Sequence, residues 1–191
     1  TKVAIYPEDV LVVYAAIKLK LPIKWTATRT EEFQASVHSR DHMNIAELAS
    51  DPEGNILALR VKTYANAGAY LTNPALLIPL GLMNKVITSV YKIPAIFLET
   101  YCVLTNTSPI GAYRGAGRPE GIYPMERLID MTAREMDIDP VIMRKRNLIL
   151  KENLPYTTPT GEVYDSGNFM EVLEKTIELM DWNGFEQRKA E

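Results

Sequence analysis

The sequence predicts an α+β fold in which a mixed sheet with a hairpin packs against helices. Three observations support this class: two extended runs flank a turn at 51–55, a branched and aromatic run spans 96–104, and helix-start signals follow it. Of the 191 residues, 47% are hydrophobic and 24% are charged, which is typical of globular proteins. A chain of this length can bury roughly 70% of the surface that its unfolded form exposes, so a core can form without disulfides.

The first helix is predicted to begin at residues 7–9, where a proline precedes two acidic residues. Residues 10–19 are apolar nearly all round, which indicates a buried helix, and Pro22 ends it. Residues 23–28 then alternate between apolar and polar side chains. This period of two predicts a half-buried strand.

The middle of the chain predicts a hairpin followed by an irregular helix. Extended runs at about 43–48 and 56–64 flank Asp-Pro-Glu-Gly-Asn at 51–55, whose residues suit a tight turn. Pro74 then opens an apolar helix, and a second proline and a glycine inside it are expected to make it irregular.

A strand at 96–104 is predicted to lead into a long loop at 105–118 and then into a helix from Pro119 onward. Apolar side chains recur in that helix at spacings of three and four, so one stripe should face a core. The stripe consists of Ile122, Met125, Ile129, Thr132 and Met136.

The last third of the chain predicts two more helices. Asp139 before Pro140 signals a helix through Asn147, residues 151–167 form a surface excursion, and residues 169–180 form an amphipathic helix. The predicted elements divide the chain into a helix and strand lobe at 1–104, a loop at 105–118 and a helical part at 119–191.

Composition excludes several classes of function. The 24 acidic and 21 basic side chains give a net charge of −3, which argues against nucleic acid as a partner. Cys102 is the only cysteine, so the chain cannot form an internal disulfide or a cysteine-rich metal site, and a reducing, cytoplasmic location is expected. No run of 18 uncharged apolar residues occurs, so no membrane span is expected.

The glycine-rich loop before the helix at Pro119 is the strongest candidate site. Gly115 and Gly117 permit positive φ and a close approach of backbone N–H groups to an anion or a flat cofactor, and Arg114 and Arg118 flank them. A plain connection with solvated arginines remains an equal alternative on local sequence alone. The loop is not a Rossmann fingerprint, because Glu120 stands where a third glycine is needed, and it lacks the lysine of a P-loop.

Other reactive side chains favour structural roles. His38 and His42 are four residues apart, but no third metal ligand is indicated, so hydrogen-bonded structural histidines are expected. Cys102 lies in an apolar run and is interpreted as an inert buried thiol. The acidic pairs at 31–32, 51/53 and 137/139 occupy caps and turns, where acidic side chains are common.

Short motifs in one order along the chain carry a family resemblance. The most specific is Ala-Tyr-Arg-Gly-Ala-Gly-Arg at 112–118, followed by Met-Glu-Arg-Leu-Ile-Asp at 125–130. The others are Tyr-Pro-Glu-Asp (6–9), Pro-Ile-Lys-Trp (22–25), Arg-Thr-Glu-Glu (29–32), Tyr-Lys-Ile-Pro (91–94), Asp-Pro (139–140) with Arg-Asn-Leu-Ile (146–149), and Pro-Tyr-Thr-Thr-Pro-Thr-Gly (155–161) with Tyr-Asp-Ser-Gly (164–167). Together they resemble the molybdenum-binding large subunit of the xanthine dehydrogenase, aldehyde oxidase and carbon monoxide dehydrogenase family.

The resemblance implies that the loop binds the molybdenum cofactor. The cofactor-binding residues would be Ala112, Tyr113, Arg114, Gly115, Ala116, Gly117 and Arg118. Backbone N–H groups around 114–117 would face the pterin or the oxygen ligands of molybdenum, and Tyr113 would shape the pocket. The resemblance assigns no catalytic residue and no metal ligand to this chain.

The resemblance also implies that residues 1–191 are a single partial domain of a larger subunit. In the family a Gly-Gly-Phe-Gly loop that touches the cofactor lies ahead of the segment resembling 1–5, and the catalytic glutamate lies far downstream of Glu191. An internal fragment of this kind would form one wall of the site and be inactive alone.

Three positions depart from family members of known substrate. Ala116 stands where xanthine dehydrogenases have a purine-stacking phenylalanine, and Leu82 stands where they have a purine-orienting arginine. Gly115 replaces the copper-binding cysteine of carbon monoxide dehydrogenases. The resemblance therefore implies oxidation of an aldehyde or an aromatic heterocycle, in which the oxygen atom added to the substrate comes from water.

The implied cofactor of the full subunit is molybdenum–molybdopterin, expected in its cytosine dinucleotide form. The implied partners are the rest of the large subunit, a small subunit with a 2Fe–2S cluster, a medium subunit with FAD, and a small-molecule substrate. The alternative is a non-catalytic module that uses the same glycine loop to bind an anion or to assemble with a partner.

Overall fold

A computed structural model describes residues 5–72 and 75–190 and has the α+β fold that the sequence predicts. Its helices are α1 (Pro7–Leu19), α2 (Arg29–Ala35), α3 (Met83–Val86), α4 (Arg118–Glu135), α5 (Pro140–Asn147), α6 (Phe169–Leu179) and α7 (Phe185–Ala190). Its strands are β1 (His42–Ser50), β2 (Ile56–Gly68), β3 (Ala95–Leu104), β4 (Tyr156–Thr157) and β5 (Val163–Tyr164). A π-helical turn at Ile78–Leu82 precedes α3.

The main sheet has the order β1-β2-β3 and is mixed, as the sequence predicts. β1 and β2 run antiparallel, since Asn44 hydrogen-bonds to Thr63 while Glu47, further along β1, pairs with Arg60, earlier in β2. β2 and β3 run parallel.

The parallel register of β2 and β3 is visible in two side-chain pairs. Lys62 forms an ion pair with Glu99 at 3.5 Å, and two residues further along both strands the rings of Tyr64 and Tyr101 stack at 5.3 Å. The carboxyl ends of these strands therefore lie side by side. In open sheets with parallel strands, that edge is where ligands commonly bind.

The chain forms two compact units, each built from separate segments. The first contains Thr1–Ile45, Lys62–Asn84 and Leu98–Glu120, and the second contains Ala46–Val61, Lys85–Phe97 and Gly121–Glu191. Buried apolar side chains of the first include Ala65, Ala67, Ile78, Met83 and Ile110; those of the second include Leu59, Ile87, Met125, Ile129, Met143 and Ile149.

Asn147 fastens the hairpin turn of the second unit to α5. Its Oδ1 accepts the N–H of Ile56 at 2.8 Å, and its Nδ2 donates to the carbonyls of Gly54 and Met143, each at 2.9 Å. Because Asn147 is buried, these bonds satisfy backbone groups that water does not reach.

Several predicted elements are confirmed. The turn at 51–55 joins β1 and β2 into a hairpin, closed by the N–H of Asp51 donating to the carbonyl of Asn55 at 3.0 Å. Asp139 caps α5 by accepting the N–H groups of Val141 and Ile142. The irregular helix is the π-helical turn around Pro79 and Gly81, while its predicted opening at Pro74 lies outside the described residues.

Three expectations are wrong. No residue of α1 is buried, because no described segment of the chain covers it. An apolar pattern indicates that a face can be buried, but it does not show which segment covers that face. Residues 23–28 form no strand, since their alternating side chains find no neighbouring strand in the described residues. Ile122 is exposed, and the buried stripe of α4 runs through Met125, Ile129 and Ala133 instead.

Within residues 5–72 and 75–190, no helix has the length and apolarity that crossing a membrane requires.

Candidate functional site

The glycine-rich loop connects β3 to α4 and presents a short exposed turn. Tyr113, Arg114 and Gly115 are exposed, whereas Gly111 and Gly117 on either side are buried. Both ends of the loop are therefore buried in the first unit, and its middle is exposed to solvent.

The turn is held by hydrogen bonds between its own backbone groups. The N–H of Ala116 donates to the carbonyl of Tyr113 at 2.8 Å, and the N–H of Arg118 donates to the carbonyl of Gly115 at 3.1 Å. Gly115 and Gly117 have φ of 88° and 93°, and Ala116 between them has φ of 33°. Three consecutive residues with positive φ explain why the loop is rich in glycine.

Glu120, in the first turn of α4, satisfies the innermost N–H of the loop. Its Oε2 accepts the N–H of Gly117 at 2.8 Å, and its side chain is only 3% exposed. The Oε1 of Glu120 lies 3.8 Å from the Nε of Arg40, which provides the opposite charge that a buried carboxylate needs.

Among residues 114–117, two backbone donors remain open. Within the part of the chain that the structure describes, the N–H groups of Arg114 and Gly115 have no hydrogen-bond partner. Those of Ala116 and Gly117 are used inside the loop and by Glu120. Of the backbone groups expected to face a cofactor, these two exposed ones are the donors that a ligand can reach.

The ring of Tyr113 lies against two guanidinium groups. The Cζ of Arg40 is 5.0 Å and the Cζ of Arg114 is 5.7 Å from the ring centroid, both within the range of a cation–π contact. Arg40 also donates from Nη2 to the carbonyl oxygen of Arg114. These contacts fix the exposed turn from its outer side.

Leu82 lies directly behind Gly117. A Cβ added to Gly117 would be 2.8 Å from the Cβ of Leu82 and 2.7 Å from the backbone nitrogen of Met83. The position that the resemblance connects with substrate orientation is thus an apolar side chain in contact with the predicted cofactor loop.

A cavity of about 830 Å³ lies in the first unit, where the chain leaves the carboxyl ends of β2 and β3. Tyr6, Trp25, Val37, Tyr70, Gly111 and Ala112 contribute to its lining. Ala112, the first residue of the predicted cofactor loop, therefore borders an open space of ligand size.

The other reactive side chains do not assemble into a site. Among the described residues, no group of three or more His, Cys, Asp or Glu could hold a metal ion. His38 forms a bridge with Ile110, His42 begins β1, and Cys102 lies in β3, where burial raises the pKa of its thiol.

His42 should make stability depend on pH. Its Nδ1 is buried and has no partner among the described residues; burial lowers its pKa, while Glu120 and Asp41 act in the opposite direction. A lowered pKa means that the unfolded chain takes up the proton first as pH falls below about 6.5, so stability falls there.

We expect His42→Gln to reduce the drop in thermal unfolding midpoint between pH 7.5 and pH 5.0. Differential scanning fluorimetry of the full subunit at both pH values measures this drop. His38→Gln, at an exposed histidine, is the matched control. An equal drop in the His42 and His38 variants would contradict the expectation.

A family model decides the identity of the chain. The model described as the molybdopterin cofactor-binding domain matches residues 1–148. The chain belongs to this family. The resemblance carried by the short motifs is thereby confirmed.

Two relatives of this molybdopterin cofactor-binding domain are named as the large chain or the large subunit of an enzyme. The carbon monoxide dehydrogenase large chain of Hydrogenophaga pseudoflava is 36% identical over 99% of this chain and 24% of its own length. The nicotine 6-hydroxylase large subunit of Paenarthrobacter nicotinovorans is 33% identical over 100% of this chain and 23% of its own length.

A solved structure agrees with the sequence relatives. The crystal structure of quinoline 2-oxidoreductase from Pseudomonas putida 86 matches with a TM-score of 0.92 and 34% identity, over 98% of this chain and 24% of that one. The chain thus spans about a quarter of the length of the relatives it matches.

The loop fits one edge of such a cofactor. At residues 114–117 it offers two exposed N–H donors without a partner among the described residues, and a nearby cavity can take a flat group. The glycines serve a different purpose, since the Cβ positions of Gly115 and Gly117 are filled by Pro119 and by the backbone of Met83.

Two residues that hold the loop in place were not predicted from the sequence. Glu120 was considered only as a replacement for a glycine, and Arg40 was not considered, because it lies 74 residues from its acceptor in Arg114. A glutamate three residues after a glycine, in the first turn of a predicted helix, is a sequence signal for this hydrogen bond. The contact of Arg40 depends on the fold and has no signal in the sequence.

Proposed function

We propose that this chain is part of the large subunit of a molybdenum hydroxylase and that residues 112–118 form one wall of its molybdopterin site. The open N–H groups of Arg114 and Gly115 carry the proposal, because they are donors on an exposed turn in a molybdopterin cofactor-binding domain. When bound, the cofactor supplies the oxidation, in which a C–H bond of the substrate is replaced by C–OH with oxygen from water and two electrons are removed.

The residues of this chain bind and orient. The N–H groups of Arg114 and Gly115 donate hydrogen bonds to the cofactor, and the remaining residues of the loop hold these donors in position. Tyr113, kept in place by Arg40 and Arg114, shapes the adjacent pocket wall. No proton transfer is assigned to these residues.

The proposed substrate is an aldehyde or an aromatic heterocycle. Leu82 and Ala116 replace the arginine and phenylalanine that orient and stack purines in xanthine dehydrogenases, so the wall offers apolar contact instead of a charge and a second ring. Gly115 leaves no thiolate for copper. Two relatives are named for reactions on nicotine and quinoline, which supports the heterocycle.

The proposed assembly follows the same family pattern. The full subunit would bind the cytosine dinucleotide form of the cofactor, and electrons would leave through a 2Fe–2S small subunit and an FAD medium subunit in the cytoplasm. The rest of the large subunit would cover α1, whose Val10, Leu11, Val13 and Ile17 are each more than half exposed.

Gly115→Val in the full subunit is expected to lower the molybdenum content at least threefold. A valine at φ of 88° is strained, and its Cβ would lie 2.8 Å from the Cδ of Pro119, so the turn that presents the open donors must change. Elemental analysis of the purified complex gives molybdenum per large subunit.

Gly161→Val is the matched control, because Gly161 has φ of 86° and no atom within 4 Å of an added Cβ. Unchanged molybdenum in Gly115→Val, or an equal loss in Gly161→Val, would contradict the role of the loop. A wild-type complex without molybdenum would instead favour the anion-binding or assembly module.

A further inference from the structure

We propose that Arg40 is a positioning residue that fixes the direction in which the N–H of Gly115 is presented to the cofactor. The inference rests on the proposed function and assigns a role to a residue outside the loop. Arg40 precedes β1, and three of its contacts converge on residues 113–120.

One guanidinium combines three contacts with the loop. The guanidinium of Arg40 donates to the carbonyl of Arg114, lies 5.0 Å from the ring centroid of Tyr113 and is 3.8 Å from the carboxylate of Glu120. A planar guanidinium can stack and donate at the same time, which a lysine ammonium cannot do. Glu120 in turn accepts the N–H of Gly117. Arg40 therefore connects the exposed and the buried side of the loop.

The planar peptide bond between Arg114 and Gly115 transmits the contact of Arg40 to the N–H of Gly115. The carbonyl of Arg114 and the N–H of Gly115 belong to one peptide unit, and in a trans peptide these two groups point in opposite directions. A hydrogen bond from Arg40 to that carbonyl holds the whole unit, so the N–H of Gly115 must point away from Arg40. This N–H is one of the two open donors at residues 114–117.

The backbone of Arg40 itself has an uncommon conformation. Its φ is 65°, a left-handed conformation that is unfavourable for a residue with a Cβ. The chain before it is fixed by His38, whose carbonyl accepts the N–H of Gly111 at 2.8 Å, and the chain after it enters β1. Such conformations persist where the surroundings determine them and are concentrated at functional sites.

The test compares Arg40→Met with Arg60→Met in the full enzyme complex. Arg60 is an exposed arginine on β2 that pairs with the carboxylate of Glu47, so its loss also removes one ion pair. We expect Arg40→Met to lower molybdenum per large subunit at least threefold, and the molybdenum that remains to give an altered electron paramagnetic resonance spectrum after reduction. Arg60→Met should match the wild type in both measurements.

A second measurement separates positioning from general stability. Cofactor-free large subunits of Arg40→Lys and Arg60→Met, produced in cells that cannot make the cofactor, should melt within about 2 °C of each other, because lysine keeps a positive charge beside the buried Glu120. If Arg40→Met does not accumulate, Arg40→Lys replaces it with the same expected loss, because lysine keeps the charge beside Glu120 without the planar group.

Three results would overturn the inference: wild-type molybdenum content with an unchanged spectrum in Arg40→Met, a cofactor-free Arg40→Lys subunit that melts far below Arg60→Met, or full recovery of molybdenum in Arg40→Lys. Each of these leaves the proposed function intact as long as the wild-type complex contains molybdenum. Absence of molybdenum from the wild type would refute the proposed function itself.

Discussion

Gly117→Ala is expected to cost the full subunit about 3 kcal/mol of stability and to reduce its molybdenum content about tenfold. An added Cβ would lie 2.7 Å from the backbone nitrogen of Met83 and 2.9 Å from the carbonyl carbon of Leu82. Backbone atoms cannot rotate away as a side chain can, so the loop or the π-helical turn must shift. The φ of 93° adds the left-handed cost of a residue with a Cβ.

Thermal unfolding of the cofactor-free subunit and elemental analysis of the complex measure the two effects of Gly117→Ala. The control is Gly161→Ala, which has a similar φ of 86° but no atom within 4 Å of an added Cβ. It should lose only the conformational part, about 1 kcal/mol, and keep its molybdenum. Equal melting temperatures for the two alanine variants would show that the close packing behind Gly117 is unimportant.

Local patterns predicted the elements that depend on neighbouring residues. The hairpin turn at 51–55 and the start of α5 at Asp139 follow from side chains that bond to backbone groups two to four residues away. The loop was predicted as a site because glycines at 115 and 117 indicate positive φ, and both have it.

What the sequence could not show depends on distant segments. The exposed apolar face of α1 looks the same in the sequence as a buried one, because the pattern contains no information about the partner surface. The alternation at 23–28 is typical of a strand, but a strand needs a neighbour to pair with. Likewise, the sequence shows that Gly117 can approach another group, but it does not show that this group is the backbone of Met83.

Glu120→Ala is expected to destabilise the subunit by about 2–4 kcal/mol and to disorder the exposed turn of the glycine-rich loop. It removes the acceptor of the buried Gly117 N–H and leaves Arg40 without its carboxylate. An unsatisfied buried donor costs about 1–3 kcal/mol, and losing the ion pair with the partly exposed Arg40 adds up to about 1 kcal/mol. The drop in thermal midpoint and the molybdenum content are the measurements, and Glu53→Ala, at an exposed turn position, is the control.

Glu120→Gln distinguishes the two contributions, because glutamine keeps an oxygen for the N–H of Gly117 and loses only the charge that faces Arg40. If the hydrogen bond to Gly117 dominates, this variant should keep more than half of the lost stability. If the ion pair dominates, it should behave like Glu120→Ala. The double variant Glu120→Ala/Arg40→Met should lose less than the sum of the single losses, because the two side chains act on one loop through one contact. Strict additivity would mean that Arg40 and Glu120 hold the loop independently.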